Sequence, residues 1–316
     1  MKRNPPTAQG LASEVERSSA LETLFDRLTD TVFFTKDAAG CYVSVNRTLV
    51  QRLGQSQKHD VIGKNAAALF PPSLAARITA QDRAVIGEGQ SIQGELERVI
   101  GTLEDAPVKV IGSGRTDAGV HAEGQVANVK LNRPFTPEKL RNAINGNLWR
   151  DIRIMKAEKA PDDFHARFSA KGKTYVYRIV NAPVMSPFWR RFAHHEARPL
   201  DVARMTEASR FLLGEHDWTA FSSINSDSET RVRTVTDCKF ESIWDSRAGA
   251  NVIEFHIHAN GFLRYMVRSI IGTLLEVGRG EKDSDTIQTA IVTGDKSLAG
   301  KTASAQGLTL QKVDYE

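Results

Sequence analysis

The sequence predicts an α+β protein, and three observations predict it. Ile92, Leu96, Ile100 and Leu103 recur at helical spacing. Apolar and polar residues alternate at strand spacing in "GQVANVKL" and "KTYVYRIVNA". Strand, helix and antiparallel strand follow one another in a mixed order that suits α+β subdomains.

Residues 1–17 are polar, proline-containing and aperiodic, which predicts a disordered tail. A helix is expected from about Ser19 to Leu28, with Leu21, Leu24, Phe25 and Leu28 on one face. "TVFFTKDAAGCYVSVN" predicts a hairpin, turning at Lys36-Asp37-Ala38-Ala39-Gly40. Asn46 then caps a helix carrying Leu49, Val50 and Leu53, and Gly54 ends it. A helix over 92–104 is followed by strand "VKVIG", the loop "GSGRTDAGVHAEGQ" and strand "GQVANVKL". "TPEKLRNAINGNL" predicts a helix, with Thr136 as cap and Pro137 in its first turn. Strands are expected at "DIRIMKAEKA" and "KTYVYRIVNA", then a helix near 201–213. "FHIHANGFLRYMVRSIIGTLLEVGRG" reads as a strand running into a long helix, and "GLTLQKVDYE" as a last strand.

The 316 residues leave room for two or three domains, and 41% apolar with 25% charged residues is ordinary for a soluble globular chain. No stretch approaches the length of a membrane span, and the basic start "MKRNPPTAQG" has no apolar core behind it. Cys41 and Cys238 offer neither a disulfide framework nor ligand spacing, so the expected compartment is the cytoplasm. A net charge of +4 is compatible with nucleic-acid binding without requiring it.

The loop at 112–125 is the first candidate for chemistry. An Asp-Ala-Gly after a strand is ordinarily a turn. Here, however, Arg115 is placed to pair with Asp117 and keep it ionised, and glycines at 112, 114 and 119 would let another molecule come close. Tyr175 and Tyr177 are alternate residues on one strand, which alone suggests two core side chains. Arg264 and Arg268 share one face of a helix whose other residues are largely apolar, so a buried arginine there needs an anion. Asp117 is the obvious candidate. His121, His165, His256 and His258 do not form a ligand set by spacing, and no metal is expected. Lys171, Lys173, Arg178, Arg190, Arg191, Arg231 and Arg233 are possible phosphate contacts.

Four blocks carry a family resemblance: "GSGRTDAGVHAEGQVANV", "DDFHARFSAKGKTYVYRI", "ANGFLRYMVRSIIGTLLEVGRG" and "SAQGLTLQKVDY". In this order they resemble the tRNA pseudouridine synthase A family over about residues 91–316. The resemblance implies a fold of two ferredoxin-like subdomains, here 92–160 and 161–316, with a mixed, mainly antiparallel sheet and a cleft between them. It implies isomerisation of uridine to pseudouridine at positions 38–40 of the tRNA anticodon arm, without metal, redox cofactor or ATP. By the matched motifs Asp117 is the nucleophile, Tyr175 receives the flipped base and Arg268 pairs with Asp117, with Arg115 beside it. The family also implies a homodimer with tRNA as partner.

Residues 18–91 resemble a PAS domain instead, in "LFDRLTDTVFFTKDAAGCYVSVNRTLVQRLG", "DVIGK", "LFP" and "AQDRAVIGEGQSI". The three antiparallel strands that usually finish such a domain are not evident. Nor is the Tyr-Asp-Gly … Gly-Trp-Gln strand and loop that opens the synthase family before its "QGELE" helix. Two readings therefore stand: a tRNA pseudouridine synthase with an unusual N-terminal appendage, or an inactive fusion that at most binds RNA or a partner.

Overall fold

The computed structural model describes residues 26, 32, 34–37, 41–72, 74–75, 91–223 and 229–316. The expected tail and the helix at 19–28 lie outside these residues, Asp26 excepted. The chain divides into two compact units between Glu95 and Leu96.

In the first unit β1 (Phe34–Lys36) pairs antiparallel with β2 (Tyr42–Val45). Helix α1 (Arg47–Arg52) starts where the Asn46 side chain accepts from Leu49 N at 3.2 Å. Gly54, at φ 65°, follows its last turn. A short helix, α2 (Ala66–Leu69), is capped in the same way by Asn65. Tyr42, Val45, Leu49, Val50 and Val61 form one small core.

The second unit is α+β with a mixed, mainly antiparallel sheet. It continues helix α3 (Ile92–Glu104) and adds β3 (Val110–Gly112), β4 (His121–Ala122), β5 (Ala127–Val129) and α4 (Pro137–Asn147). Then come β6 (Gly172–Asn181), β7 (His194–Glu196), α5 (Val202–Ser209), β8 (Gly214–Asp217), β9 (Val232–Asp245) and β10 (Ala250–Ala259). Helices α6 (Met266–Gly278) and α7 (Thr286–Thr293) and strand β11 (Leu308–Asp314) end it. The large sheet has seven strands in the order β4-β11-β6-β10-β9-β8, with β7 on β6. Among the described residues only the β4–β11 and β6–β7 pairs are parallel. Among the described residues β3 and β5 pair with each other as a separate two-stranded sheet.

Alternation along β6 and β10 fixes which face is buried. Tyr177 and Ile179 of β6, and Phe255 and Ile257 of β10, join Met266, Ile270, Ile271 and Leu274 of α6 in the main core. α6 is buried on almost every face, as its near-continuous apolar sequence requires. A second core joins Leu96, Val99 and Ile100 of α3 to Val110, Ile144 and Leu148.

Two expectations are corrected. "DIRIMKAEKA" is not a strand. Ile154 N instead donates to Asn145 Oδ1 at 2.7 Å, and Asn145 Nδ2 to Ile154 O at 2.9 Å. A side-chain amide thus takes the place of a neighbouring strand, while Ile152 and Ile154 still pack on the second core. The helix near 201–213 ends at Ser209 and tightens into a 3-10 turn at Arg210–Leu212.

Candidate active site

The loop that leaves β3 is held from three sides before it reaches Asp117. Ser113 N donates to Val126 O at 2.8 Å, and Ser113 Oγ to Gln125 Oε1 at 2.5 Å. Gln125 Nε2 donates in turn to Gly114 O at 3.1 Å. Lys173 Nζ donates to Ser113 O at 2.8 Å from strand β6. A Cβ on Gly114 would stand 2.8 Å from that ammonium, so a larger residue there would make the lysine tip shift. Burial first, and the nearby Arg167 charge second, pull Lys173 below the usual lysine range.

Asp117 opens a turn closed by Val120 N to its carbonyl at 3.0 Å. Gly119, at φ 83°, occupies the third position of that turn, which in a type II geometry requires positive φ. β4 then runs parallel to β11, and both Glu123 N and Gly124 N donate to Leu310 O. A Cβ at Gly124 would lie 2.2 Å from Gln311 O, so this junction admits only glycine without a backbone shift.

Arg268 sits in the first turn of α6. Its Nη1 donates to Asp117 Oδ2 at 2.9 Å and its Nε to Ala303 O at 2.8 Å. The two side chains of this ion pair are 16% and 22% exposed, so the attraction is only partly screened by water. The arginine that the sequence offered Asp117 from its own loop was Arg115. Among the described ion pairs, however, Asp117 is joined to Arg268 and not to Arg115. A rigid helix thus holds the guanidinium against the carboxylate across most of the unit.

Tyr175 lies on β6 with its ring against Phe262, edge to face at 5.1 Å. Burial first, and the Asp117 carboxylate second, push its hydroxyl up to about 12, so the side chain is a neutral phenol at ordinary pH. Asp117, Arg268 and Tyr175 therefore surround one place. Tyr177 is the core residue that strand alternation suggested: it is fully buried, and its hydroxyl donates to Ser304 O at 2.9 Å.

The histidines are held by protein partners. His121 Nε2 lies 2.7 Å from Arg191 O, and His165 Nδ1 accepts from Arg167 N and Phe168 N. His258 sits between Thr236 Oγ1 and Asp314 Oδ2. Strand register brings two carboxylates to His256 that sequence spacing did not show. Glu254 and, from β9, Glu241 come beside it, with three potential ligand atoms within 4.8 Å of one another. Lys239 holds Glu241 at 2.6 Å and Arg178 holds Glu254 at 2.8 Å, so these charges are already balanced. Of the candidate phosphate contacts, Arg178 is engaged by Glu254 and Lys173 by Ser113 O. Lys171, Arg190 and Arg191 are exposed.

With this geometry in view, known proteins can be compared. The model of the tRNA pseudouridine synthase family matches residues 74–169 and 208–316. The chain belongs to the tRNA pseudouridine synthase family. Among curated relatives, tRNA pseudouridine synthase A of Bacillus sp. (strain KSM-64) is 41% identical over 73% of this chain and 92% of its own length. The corresponding protein of Geobacillus sp. (strain WCH70) is 42% identical over 72% and 90%. That of Solibacter usitatus (strain Ellin6076) is 42% identical over 71% and 90%. The model of the PAS fold matches residues 25–109. The synthase and PAS matches overlap over 74–109, so the boundary drawn from the sequence at 91/92 falls inside segments that both recognise.

Several residues that shape this synthase site left no sequence signal that was read. Gln125 holds the Asp117 loop, Phe262 backs Tyr175 and Tyr265 faces Arg268, and none of the three belongs to a local pattern that marks such a role. Gly272 lies one turn after Arg268 on the same helix. A Cβ there would meet Lys301 O at 1.9 Å, so Gly272 is what lets the 301–303 segment lie on α6 and present Ala303 O to Arg268.

Proposed function

We propose that the chain isomerises uridine to pseudouridine at positions 38–40 of the tRNA anticodon arm, with Asp117 as the nucleophile. The observation that carries this reading is the 2.9 Å pair of Asp117 with Arg268 beside Tyr175. The uridine must leave its stack to reach a carboxylate on a loop, and Tyr175 with Phe262 behind it offers an aromatic face to receive the base. Asp117 attacks the uridine at C6 of the base or C1′ of the ribose. The bond from N1 to C1′ breaks, the ring turns, C5 bonds to C1′, and the bond to Asp117 breaks again to return its carboxylate. The C5 proton is lost and N1 gains one, so the product is an isomer and no oxidant, reductant or ATP is consumed. Arg268, bonded to Asp117 Oδ2, aims the carboxylate at the substrate. Arg115, next to Asp117 on the loop, is read as a contact to the substrate backbone.

The chain works in the cytoplasm in this reading. No helix among the described residues is long and apolar enough to cross a membrane. It acts as a homodimer, which light scattering of the purified protein checks; a monomer mass at working concentration contradicts it. The function itself is tested with unmodified tRNA and an assay of pseudouridine in the anticodon arm. Wild-type protein converts those uridines and Asp117→Ala does not. The inactive-fusion reading instead requires equal, background conversion by both.

A further inference from the structure

Tyr265, the residue ahead of α6, has φ 65° and ψ 0°, a left-handed conformation that side chains with a Cβ avoid. It follows Arg264 in the turn from Leu263 to Met266, closed by Met266 N to Leu263 O at 3.1 Å. It occupies the third position, where glycine or asparagine is favoured. A chain with no other demand at this point would place glycine there. A bulky residue kept in a strained conformation beside a reactive group points to a role for its side chain.

The ring supplies that role. Arg268 Cζ lies 5.2 Å from the Tyr265 ring centroid, within cation–π range. The hydrogen bonds of Arg268 to Ala303 O and Asp117 Oδ2 fix two directions of the guanidinium, and both are made by its nitrogens. Neither hydrogen bond stops the guanidinium from tilting about the line through them. An aromatic ring against the guanidinium does. The left-handed backbone is what turns the ring of Tyr265 toward Arg268, one helical turn along. Arg264 contacts the same ring at 4.9 Å and donates from Nη2 to its hydroxyl at 3.2 Å, which uses the polar end of the side chain for a different partner.

We infer that Tyr265 is a positioning residue for the isomerisation, its strained ring holding the Arg268 guanidinium in the plane that aims Asp117. This rests on the proposed role of Asp117 and Arg268, but one of its tests does not.

Three variants separate the ring from the backbone. Tyr265→Gly relieves the left-handed strain and removes the ring, so its thermal midpoint stays at or above that of the wild type while kcat on tRNA falls about 10- to 100-fold with KM within about two-fold. Tyr265→Asn, also tolerant of this backbone, behaves like the glycine variant. Tyr265→Phe keeps the ring, loses only the bond from Arg264, and retains kcat within about three-fold. Independently of activity, 15N NMR of the arginine side chains, assigned with Arg268→Lys, reads the Arg268 Nη2 group, which lies off the line of the two hydrogen bonds. That signal is ordered and slow to exchange in the wild type and Tyr265→Phe, and averaged in Tyr265→Gly. An ordered Arg268 signal in the glycine variant overturns the inference whether or not the protein converts tRNA. Wild-type kcat in that variant, or an equal loss in Tyr265→Phe, overturns it as well.

Discussion

Asp117 and Arg268 make a pair that neither residue can make with a substitute of the same charge. Arg268 uses Nη1 for Asp117 and Nε for Ala303 O at once. A lysine has one nitrogen for both, on a flexible stem. Arg268→Lys is therefore expected to lose about 10- to 100-fold in kcat/KM, the worth of a hydrogen bond to a charged group at roughly 1.5–3 kcal/mol. Steady-state kinetics on unmodified tRNA checks this; a variant within two-fold of wild type would show that charge alone suffices. Tyr175 poses the opposite question. With its hydroxyl pushed up to about 12 by burial and Asp117, it is neutral wherever the protein is folded and usable. It cannot serve as a phenolate base near neutrality. Tyr175→Phe should preserve the pH–rate profile and most of kcat, whereas Tyr175→Leu should lose about 1–3 kcal/mol of base stacking, seen as weaker turnover of tRNA. A profile that changes shape in Tyr175→Phe would give the hydroxyl a chemical role.

At the level of elements, α6 is both the centre of the core and the carrier of Arg268, so its packing sets the site. Gly272 is where another segment touches its backbone. In an exposed helix alanine is the better residue by roughly 1 kcal/mol. Here a Cβ would stand 1.9 Å from Lys301 O, and the sign reverses. Gly272→Ala is expected to cost about 1–3 kcal/mol by overpacking. It should lower the thermal midpoint by several degrees in a calorimetric melt, and it should lower activity too because Ala303 O moves from Arg268. The far end of α6 is tied to β7 by a second buried pair. Glu196 Oε2 accepts from Arg279 Nη1 at 3.1 Å, and Oε1 from Arg198 N and Nε. Burial by itself would raise the Glu196 carboxyl. The Arg198 hydrogen bonds and the Arg198 and Arg279 charges outweigh it and hold the group below its ordinary value of 4.5. A carboxyl lowered on folding contributes stability above its unfolded value, and that stability is lost as the pH falls through the folded value. Melts should therefore lose stability on acidification below about pH 4.5, the unfolded reference. Glu196→Gln should be about 1–3 kcal/mol less stable at neutral pH and show a flatter acid slope. An unchanged slope would assign the acid loss to other carboxylates.

For the whole molecule, the decisive strand is the last one. β11 lies between β4, which carries the chain away from Asp117, and β6, which carries Tyr175. Removing residues 308–316 leaves β4 without its strand partner, opens the hydrogen-bonding edge of β6 and takes Leu308 and Leu310 from buried positions. No cooperative melt is expected from that truncation, and calorimetry would decide; a normal transition with activity would mean the loop is held by Lys173 and Gln125 alone.

The sequence by itself was enough for the residues that follow local rules. Apolar period located α3 and α6, the Asn46 and Thr136 caps placed α1 and α4, and alternation separated a core face from another along β6. The blocks around Asp117, Tyr175 and Arg268 were legible as a family pattern because each is contiguous. β9 was not legible: "VRTVTDCKFESIWD" buries little of itself and is a strand because β8 and β10 bind it on both edges. Asp117's partner was legible only in part: the apolar helix around Arg268 demanded an anion and Asp117 was the candidate, but Arg115 two residues away was offered as well, and the fold decided for the cation 151 residues on. Periodicity and capping are properties of a few consecutive residues, and the sequence contains them whole. Which cation meets which carboxylate, which glycine admits a crossing segment and which tyrosine is strained depend on how strands and helices meet. Only the folded chain fixes those distances.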